Sequence, residues 1–235
     1  MSAVETKTFQ NYIAGEWVDA STGETFESTS PANGELIGTF PKSAEADVDR
    51  AVAAAKEAYE SWRLVPAPKR GEIIFRFAQL LIDRKDELTQ LMTHEMGKVK
   101  AEAGGDVQEA IDMSFYMAGE GRRLFGQTTP SELPDKFNMS VRMPIGVVGV
   151  ITPWNFPIAI PSWKIVPALV CGNTVVFKPA NDTPRLGERF VELLAEAGVP
   201  AGVVNVVHGF GGDVGERIVR HPDVRVITVT GSRET

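Results

Sequence analysis

Apolar positions recur along the chain with two different periods, and the period changes near residue 145. Before that point, apolar side chains return every three to four residues, which indicates amphipathic helices. After it, short and almost wholly apolar runs alternate with amphipathic stretches. Such runs are typical of strands that are buried on both faces, and their alternation with helices predicts parallel strands joined by right-handed crossovers.

The first part of the chain predicts one hairpin and four helices. The hairpin covers residues 11–18 and turns at Ala14-Gly15. Ser43 is a suitable N-cap for the first helix, and Gly97 suits the C-cap of the third. The first predicted helix has its apolar face over residues 48–62, and the second, after Pro66 and Pro68, has its apolar face over 73–81. The third helix is predicted over 86–96 and the fourth over 107–124.

The second part predicts four strands and three helices in alternation. The strands are predicted at residues 145–151, 174–177, 203–207 and 224–230, and the helices within 158–170, 185–197 and 213–220. The expected fold class is therefore α/β, a Rossmann-like open parallel sheet with flanking helices, preceded by a mostly helical N-terminal segment.

Three regions follow from this organisation. We expect residues 1–125 to form an N-terminal segment whose helices pack on the domain that follows, and residues 145–235 to form the βαβ region of that domain. Between them, residues 126–144 carry two prolines, and residues 138–143 alternate like an exposed strand. This extended arm is either a surface hairpin or a contact with another subunit or domain, and the pattern favours neither.

Polar or glycine clusters follow all four predicted strands. In an open parallel sheet, the carboxyl ends of the strands line the crevice where ligands bind, so four clusters predict one cofactor site. The clusters are Trp154-Asn155, Lys178 to Asn181, Gly209 to Gly212 and Gly231-Ser232.

Three of these clusters have a functional and an ordinary interpretation. Lys178, at a strand end, is interpreted either as a residue that binds a ribose hydroxyl or a phosphate or as a solvated surface lysine. Asn155 is held between Pro153 and Pro157, and its amide can donate to a developing oxyanion. The ordinary interpretation is a turn asparagine that bonds its own backbone. Gly211 lies in a run without the third glycine of the dinucleotide fingerprint, so a tight turn is as good an interpretation as a pyrophosphate contact.

Composition limits the partners. The net charge of −7 and the pI of about 5.1 disfavour nucleic acid and anionic membranes. No apolar run approaches the roughly 20 residues that span a bilayer, and the N-terminal residues do not form a signal or transit peptide. We expect a cytoplasmic protein. The three histidines, at positions 94, 208 and 221, have no metal-ligand spacing, so no metal site is expected.

The strand-end motifs resemble the NAD(P)-dependent aldehyde dehydrogenase superfamily. The resemblance covers essentially the whole chain, in order, and also includes residues 12–17 and the run Glu95 to Lys98. Its most specific segments are residues 151–157, 167–180, 198–205 and 230–232.

The resemblance implies oxidation of an aldehyde to the acid, with NAD or NADP as cofactor and a cysteine thiohemiacetal as intermediate. It implies that Asn155 is the oxyanion donor and that the full-length form is a homo-oligomer. The residues that it places at the cofactor are Ile151, Thr152, Pro153, Trp154, Asn155, Lys178, Ala180, Asn181, Gly211, Gly231 and Ser232. Many relatives have a glutamate where this chain has neutral Asn181, so we expect NADP to be accepted at least as well as NAD.

The sequence departs from the family in length, since members are about twice as long. The family's nucleophilic cysteine and general-base glutamate are expected beyond Thr235, and Cys171 is interpreted as a buried structural thiol. Three hypotheses remain: the cofactor half of such an enzyme, a non-catalytic nucleotide-binding fragment, or a structural subunit. The substrate cannot be identified; Arg122 or Arg123 is either a contact for a substrate carboxylate or a solvent-exposed arginine.

Overall fold

A computed structural model describes residues 7–233 and shows a central sheet with helices on both faces. The strands are β1 Asn11–Ile13, β2 Glu16–Val18, β3 Thr25–Thr29, β4 Leu36–Pro41, β5 Thr128–Thr129, β6 Asn138–Met139, β7 Val147–Ile151, β8 Thr174–Lys178, β9 Val204–Val206 and β10 Val224–Val229. The helices are α1 Glu45–Trp62, α2 Ala67–Asp83, α3 Lys85–Met96, α4 Lys100–Glu120, α5 Ala159–Val170, α6 Pro184–Glu196 and α7 Glu216–Arg220, with a π-helical turn at Gly211–Gly215.

The sheet has the spatial order β10-β7-β8-β9-β1-β2. Strands β7 to β10 are parallel, whereas the hairpin β1–β2 joins antiparallel beside β9. The chain moves outward from β7 through β8 to β9 and then returns to place β10 on the other side of β7. The strand order therefore reverses between β7 and β10, which is the topological switch point of this α/β fold.

Two hydrophobic clusters cover the two faces of the sheet. The larger contains Val148, Val150 and Phe177 and packs them against residues of α2, α4, α5 and α6. The smaller contains Val147 and Val176, which meet residues of α1 and α7. Neighbouring residues of β7 thus point to opposite faces and both are buried, which explains why its sequence is continuously apolar.

The predicted α/β class and all seven βα-region elements are confirmed, but two local predictions about the N-terminal helices are wrong. Ser43 does not cap α1, because its hydroxyl accepts a hydrogen bond from the Asn11 side chain; Ala44 is the N-cap residue, and the Asp47 carboxylate accepts its N–H. Helix α4 begins at Lys100 and ends at Glu120, rather than covering 107–124.

The arm contains a short hairpin of β5 and β6, which pair antiparallel. Its second strand covers only Asn138–Met139, so the strand predicted over residues 138–143 is shorter than its alternating pattern indicated. None of the helices within residues 7–233 combines the length and the apolarity needed to cross a bilayer.

Candidate functional site

The carboxyl ends of three adjacent parallel strands meet at the switch point. Ile151 on β7 is paired in register with Lys178 on β8 and with Val229 on β10. Backbone hydrogen bonds continue beyond the strands, from Thr152 N to Lys178 O at 3.3 Å and from Thr230 N to Ile151 O at 3.1 Å. The sheet therefore brings together the predicted residues Ile151, Thr152 and Lys178 at one edge.

Lys178 is almost fully buried, with 6% of its surface exposed. Its Nζ donates to Pro179 O at 2.9 Å and to Asn181 Oδ1 at 3.1 Å, and no carboxylate among residues 7–233 lies within ion-pair distance. Burial lowers the pKa of Lys178 to about 8, although the negative charge of Asp182 opposes the shift. A buried lysine without an ion pair is costly, so this ammonium is poorly explained by packing and is suited to a polar ligand.

The turn after β7 presents aromatic and amide side chains. Trp154 is half exposed and lines a cleft of about 360 Å³ together with Glu95, Asn181 and Asp182. The Asn155 side chain is exposed and makes no hydrogen bond to any of residues 7–233. It is therefore available to a ligand, and the alternative of a turn asparagine bonded to its own backbone does not describe it.

A buried ion pair between the α3–α4 connection and α4 holds this turn. Lys98 Nζ lies 2.9 Å from Asp106 Oδ2 and donates to Asn155 O at 2.7 Å. Asp106 Oδ1 accepts the N–H of Ala159, the first residue of α5, at 2.8 Å. Burial raises the pKa of Asp106, while the hydrogen bonds from Lys98 and Ala159 oppose that shift. Sequence reasoning missed both residues, although Lys98 belongs to a run that carried the resemblance.

The N-terminus of α6 is likewise occupied by a carboxylate. Glu95 on α3 is buried and accepts the N–H groups of Arg185 at 2.8 Å and of Leu186 at 2.9 Å. Burial raises the pKa of Glu95 to about 7. Because Glu95 and Asp106 satisfy the first N–H groups of α6 and α5, neither helix is open to a phosphate in the way that free helix N-termini are.

The glycine and serine residues that were predicted to contact the cofactor are more exposed than Lys178. A side chain at Gly211 would meet no atom within 4 Å, and Gly231 and Ser232 are exposed directly after β10. Ala180, by contrast, is buried in the turn that follows Lys178. Gly215, which sequence reasoning did not assign, lies against the crevice, since a Cβ there would be 3.8 Å from both Ile151 Cδ1 and Lys178 Cδ.

His208, which follows β9, is fully buried, and neither ring nitrogen has a hydrogen-bond partner among the described residues. Burial, together with the charges of Lys178 and Arg185, lowers the pKa of His208 to about 3. The imidazole is therefore neutral, and it packs against Phe40 with ring centroids 5.3 Å apart.

Three other candidate residues, Cys171, Arg122 and Arg123, are not assigned to the site at the switch point. Cys171 is only partly buried, which corrects the expectation of a buried thiol, and burial raises the pKa of this thiol although Arg70 opposes the shift. Arg122 is exposed and lies 3.5 Å from Glu72, whereas Arg123 is paired with Glu120 at 2.5 Å. The interpretation of both arginines as surface residues is therefore favoured over a contact with a substrate carboxylate.

These features define an α/β fold with a parallel-containing sheet, flanking helices and a crevice at the topological switch point. Residues 17–235 match the model of the aldehyde dehydrogenase family, and the chain belongs to that family. It is 44% identical over 229 residues to malonate-semialdehyde dehydrogenase 3 of Geobacillus kaustophilus. The matched segment covers 97% of this chain and 47% of that relative.

Solved structures give the same result. An NADP-dependent enzyme of E. coli superposes with a TM-score of 0.91 at 42% identity, covering 94% of this chain and 46% of that one. A betaine aldehyde dehydrogenase from Staphylococcus aureus, in complex with NAD+, superposes with a TM-score of 0.90 at 35% identity, covering 93% of this chain and 45% of that one. The chain thus spans about half the length of the relatives it matches.

Proposed function

We propose that this chain forms the cofactor-binding half of an NAD(P)-dependent aldehyde dehydrogenase. The observation that carries the proposal is the buried ammonium of Lys178, which has no carboxylate partner among the described residues and lies in register with Ile151 at the switch point. Below, the term complete enzyme means this chain joined to a segment equivalent to the other half of its relatives.

The residues present fit a dinucleotide. Lys178 and Asn181 offer a donor and an amide to a ribose hydroxyl or its phosphate, and Ala180 keeps their turn compact. Gly215 leaves the space beside Ile151 and Lys178 free of a side chain. Ile151, Thr152, Pro153 and Trp154 would line the cofactor on the β7 side, and Gly211, Gly231 and Ser232 would approach the adenine and pyrophosphate.

In the reaction, the bound cofactor supplies a hydride acceptor. Asn155 contributes the other function of this chain, because its unbonded amide can donate to the oxygen of the aldehyde as negative charge develops there. We assign the nucleophilic cysteine and the general-base glutamate to the other half of the complete enzyme. The substrate is an aldehyde, and the described residues give no further restriction on its class.

The same proposal covers cofactor choice and assembly. Neutral Asn181 imposes no repulsion on the 2′-phosphate of NADP, so NADP is accepted at least as well as NAD. The arm of residues 126–144 exposes several apolar side chains, which is typical of an interaction surface, and we assign it to contacts in a homo-oligomer. The cytoplasmic location stays a prediction.

Replacement of Lys178 by methionine tests the proposal. In the complete enzyme with an aldehyde panel, we expect NADH or NADPH production by the parent and a cofactor Kd raised at least tenfold in Lys178→Met. Lys136→Met, on the exposed arm, is the matched control and should leave the Kd unchanged. Absence of cofactor-linked oxidation with every aldehyde, or an unchanged Kd in Lys178→Met, would contradict the assignment.

A further inference from the structure

We propose that Lys98 and Asp106 are positioning residues that together hold Asn155 in the orientation required for oxyanion stabilisation. The inference rests on the proposed function, in which Asn155 is the oxyanion donor. Neither residue was assigned a role by its position in the sequence.

The pair holds the segment from Asn155 to the first residue of α5. Lys98 donates to the carbonyl oxygen of Asn155 itself, at 2.7 Å, and Asp106 accepts the N–H of Ala159, at 2.8 Å. The two side chains are joined at 2.9 Å, so a continuous bridge links the carbonyl of Asn155 to the first residue of α5. This bridge restricts rotation of the peptide group between Asn155 and Phe156.

The Lys98 ammonium has several partners at this place. Two of its three donors are directed to Asp106 and to Asn155 O, and the centroid of the Phe156 ring lies 3.9 Å from Nζ. The Lys98 side chain is 7% exposed and that of Asp106 is fully buried. The ion pair is thus an element of the interior with defined geometry, unlike a flexible surface pair.

A purely structural role explains the arrangement less well. Buried ion pairs contribute little net stability compared with well-packed apolar residues, so stability alone does not account for a charged group on the Asn155 carbonyl. Because the side chain of Asn155 makes no other hydrogen bond among residues 7–233, its orientation depends on its backbone. The bridge therefore supplies the constraint that the amide itself lacks.

Three variants of the complete enzyme test the inference. Lys98→Met removes the donor while keeping the length of the side chain, and Lys98→Arg restores a charged donor. Lys98→Met/Asp106→Asn replaces the ion pair by two uncharged side chains and keeps an acceptor for Ala159 N–H. This variant replaces Lys98→Met in the kinetic comparison if Lys98→Met alone does not fold. Lys100→Met is the matched control, because Lys100 is exposed at the start of α4.

We expect Lys98→Met to lower kcat by about tenfold or more, since a misplacement of about 1 Å can cost on the order of 10² in rate. Cofactor Kd should stay within about twofold, and Lys98→Arg should recover much of the loss. The decisive measurement is the double variant with Asn155→Ala, in which Lys98→Met should cause no further loss because the group it positions is gone.

Two results would overturn the inference while leaving the proposed function intact: a kcat of Lys98→Met equal to that of Lys100→Met, or losses from Lys98→Met and Asn155→Ala that multiply independently. A near-normal kcat in Asn155→Ala alone would instead refute the oxyanion role of Asn155. The positioning role would then be refuted with it.

Discussion

The Nζ atom of Lys178 and the Oδ1 atom of Asn181 lie 3.1 Å apart, so the ammonium and the amide form one hydrogen-bonded unit at the end of β8. The remaining acceptor of Lys178 is the neighbouring carbonyl of Pro179, not a carboxylate. A ligand phosphate would therefore meet a positive charge that has no carboxylate of residues 7–233 within ion-pair distance, together with a neutral amide. We expect the preference between NAD and NADP to depend on that combination.

A carboxylate at position 181 should reverse this preference. Two negative charges about 4 Å apart repel by on the order of 4 kcal/mol at an effective dielectric of 20, and screening reduces the measured effect. We expect the parent to bind NADP at least as tightly as NAD, and Asn181→Glu to weaken NADP relative to NAD by more than tenfold. Titration of both cofactors against the complete enzyme measures this ratio.

The control for this titration is Asn138→Glu, which makes the same change on the exposed arm. It should alter neither Kd. A parent that binds NAD more than tenfold more tightly than NADP, with a ratio that Asn181→Glu leaves unchanged, would show that position 181 does not set the specificity.

Loss of the Asn155 amide should affect catalysis and not cofactor binding. Removal of one oxyanion donor typically lowers kcat by about 10²–10³-fold, and we expect Asn155→Ala in the complete enzyme to behave accordingly. Its Kd for the cofactor should change by less than about twofold. Steady-state kinetics with parallel cofactor titration separates the two quantities, and an unchanged kcat would refute the role.

The sequence predicts the crevice well because its signals are local. A strand buried on both faces must be almost wholly apolar, so β7 and β8 are visible from composition alone, and the polar residue that follows each strand marks the edge. Lys178 was identified in this way, and the structure confirms its place at the end of β8.

The residues that sequence reasoning missed depend on contacts between distant segments. Asp106 meets Ala159 across 53 positions, and no local pattern indicates such a pair. Likewise, the hydroxyl of Ser43 is taken by Asn11, so a residue with suitable capping chemistry does not cap. The early start of α4 was missed because Gly104 and Gly105 are poor helix formers.

The chain of 235 residues should show no dehydrogenase activity by itself. A covalent catalyst needs an activated nucleophile, and the Cys171 thiol is a poor candidate because burial raises its pKa. We expect no NADH or NADPH production by the isolated chain with an aldehyde panel, and an unchanged kcat for Cys171→Ser in the complete enzyme. Turnover by the isolated chain at enzymatic rates would contradict this prediction.

Glu188 should make the protein less stable as the pH rises. Burial raises the pKa of its carboxyl from 4.5 to about 8, although Arg185 opposes the shift. Because the folded state binds this proton more tightly, its stabilising contribution is complete below about pH 4.5 and is lost as the pH rises through about 8. Glu188→Gln should therefore gain on the parent in free energy of unfolding as the pH increases from 5 to 9.

Denaturant unfolding at several pH values measures this difference, and Glu192→Gln provides a comparison of opposite sign at pH values below about 4.5. Burial alone would raise the pKa of Glu192, but hydrogen bonds and charges from Arg185 and Arg189 lower it overall. Its contribution is therefore present above the ordinary pKa and is lost as the pH falls. If the difference between Glu188→Gln and the parent does not vary with pH, the carboxyl is not titrating in this range.

The apolar side chains of the arm should hold copies of the complete enzyme together. Phe137 is 73% exposed and Met139 is 66% exposed, and burial of such side chains against a second copy contributes about 25 cal/mol per Å² of apolar surface. We expect Phe137→Ser/Met139→Ser to lower the mass found by sedimentation velocity. Leu64→Ser, at a side chain 70% exposed between α1 and α2, is the control and should leave that mass unchanged. A complete enzyme that sediments as a monomer, or an arm variant with the parent's mass, would refute the assignment of the arm to subunit contacts.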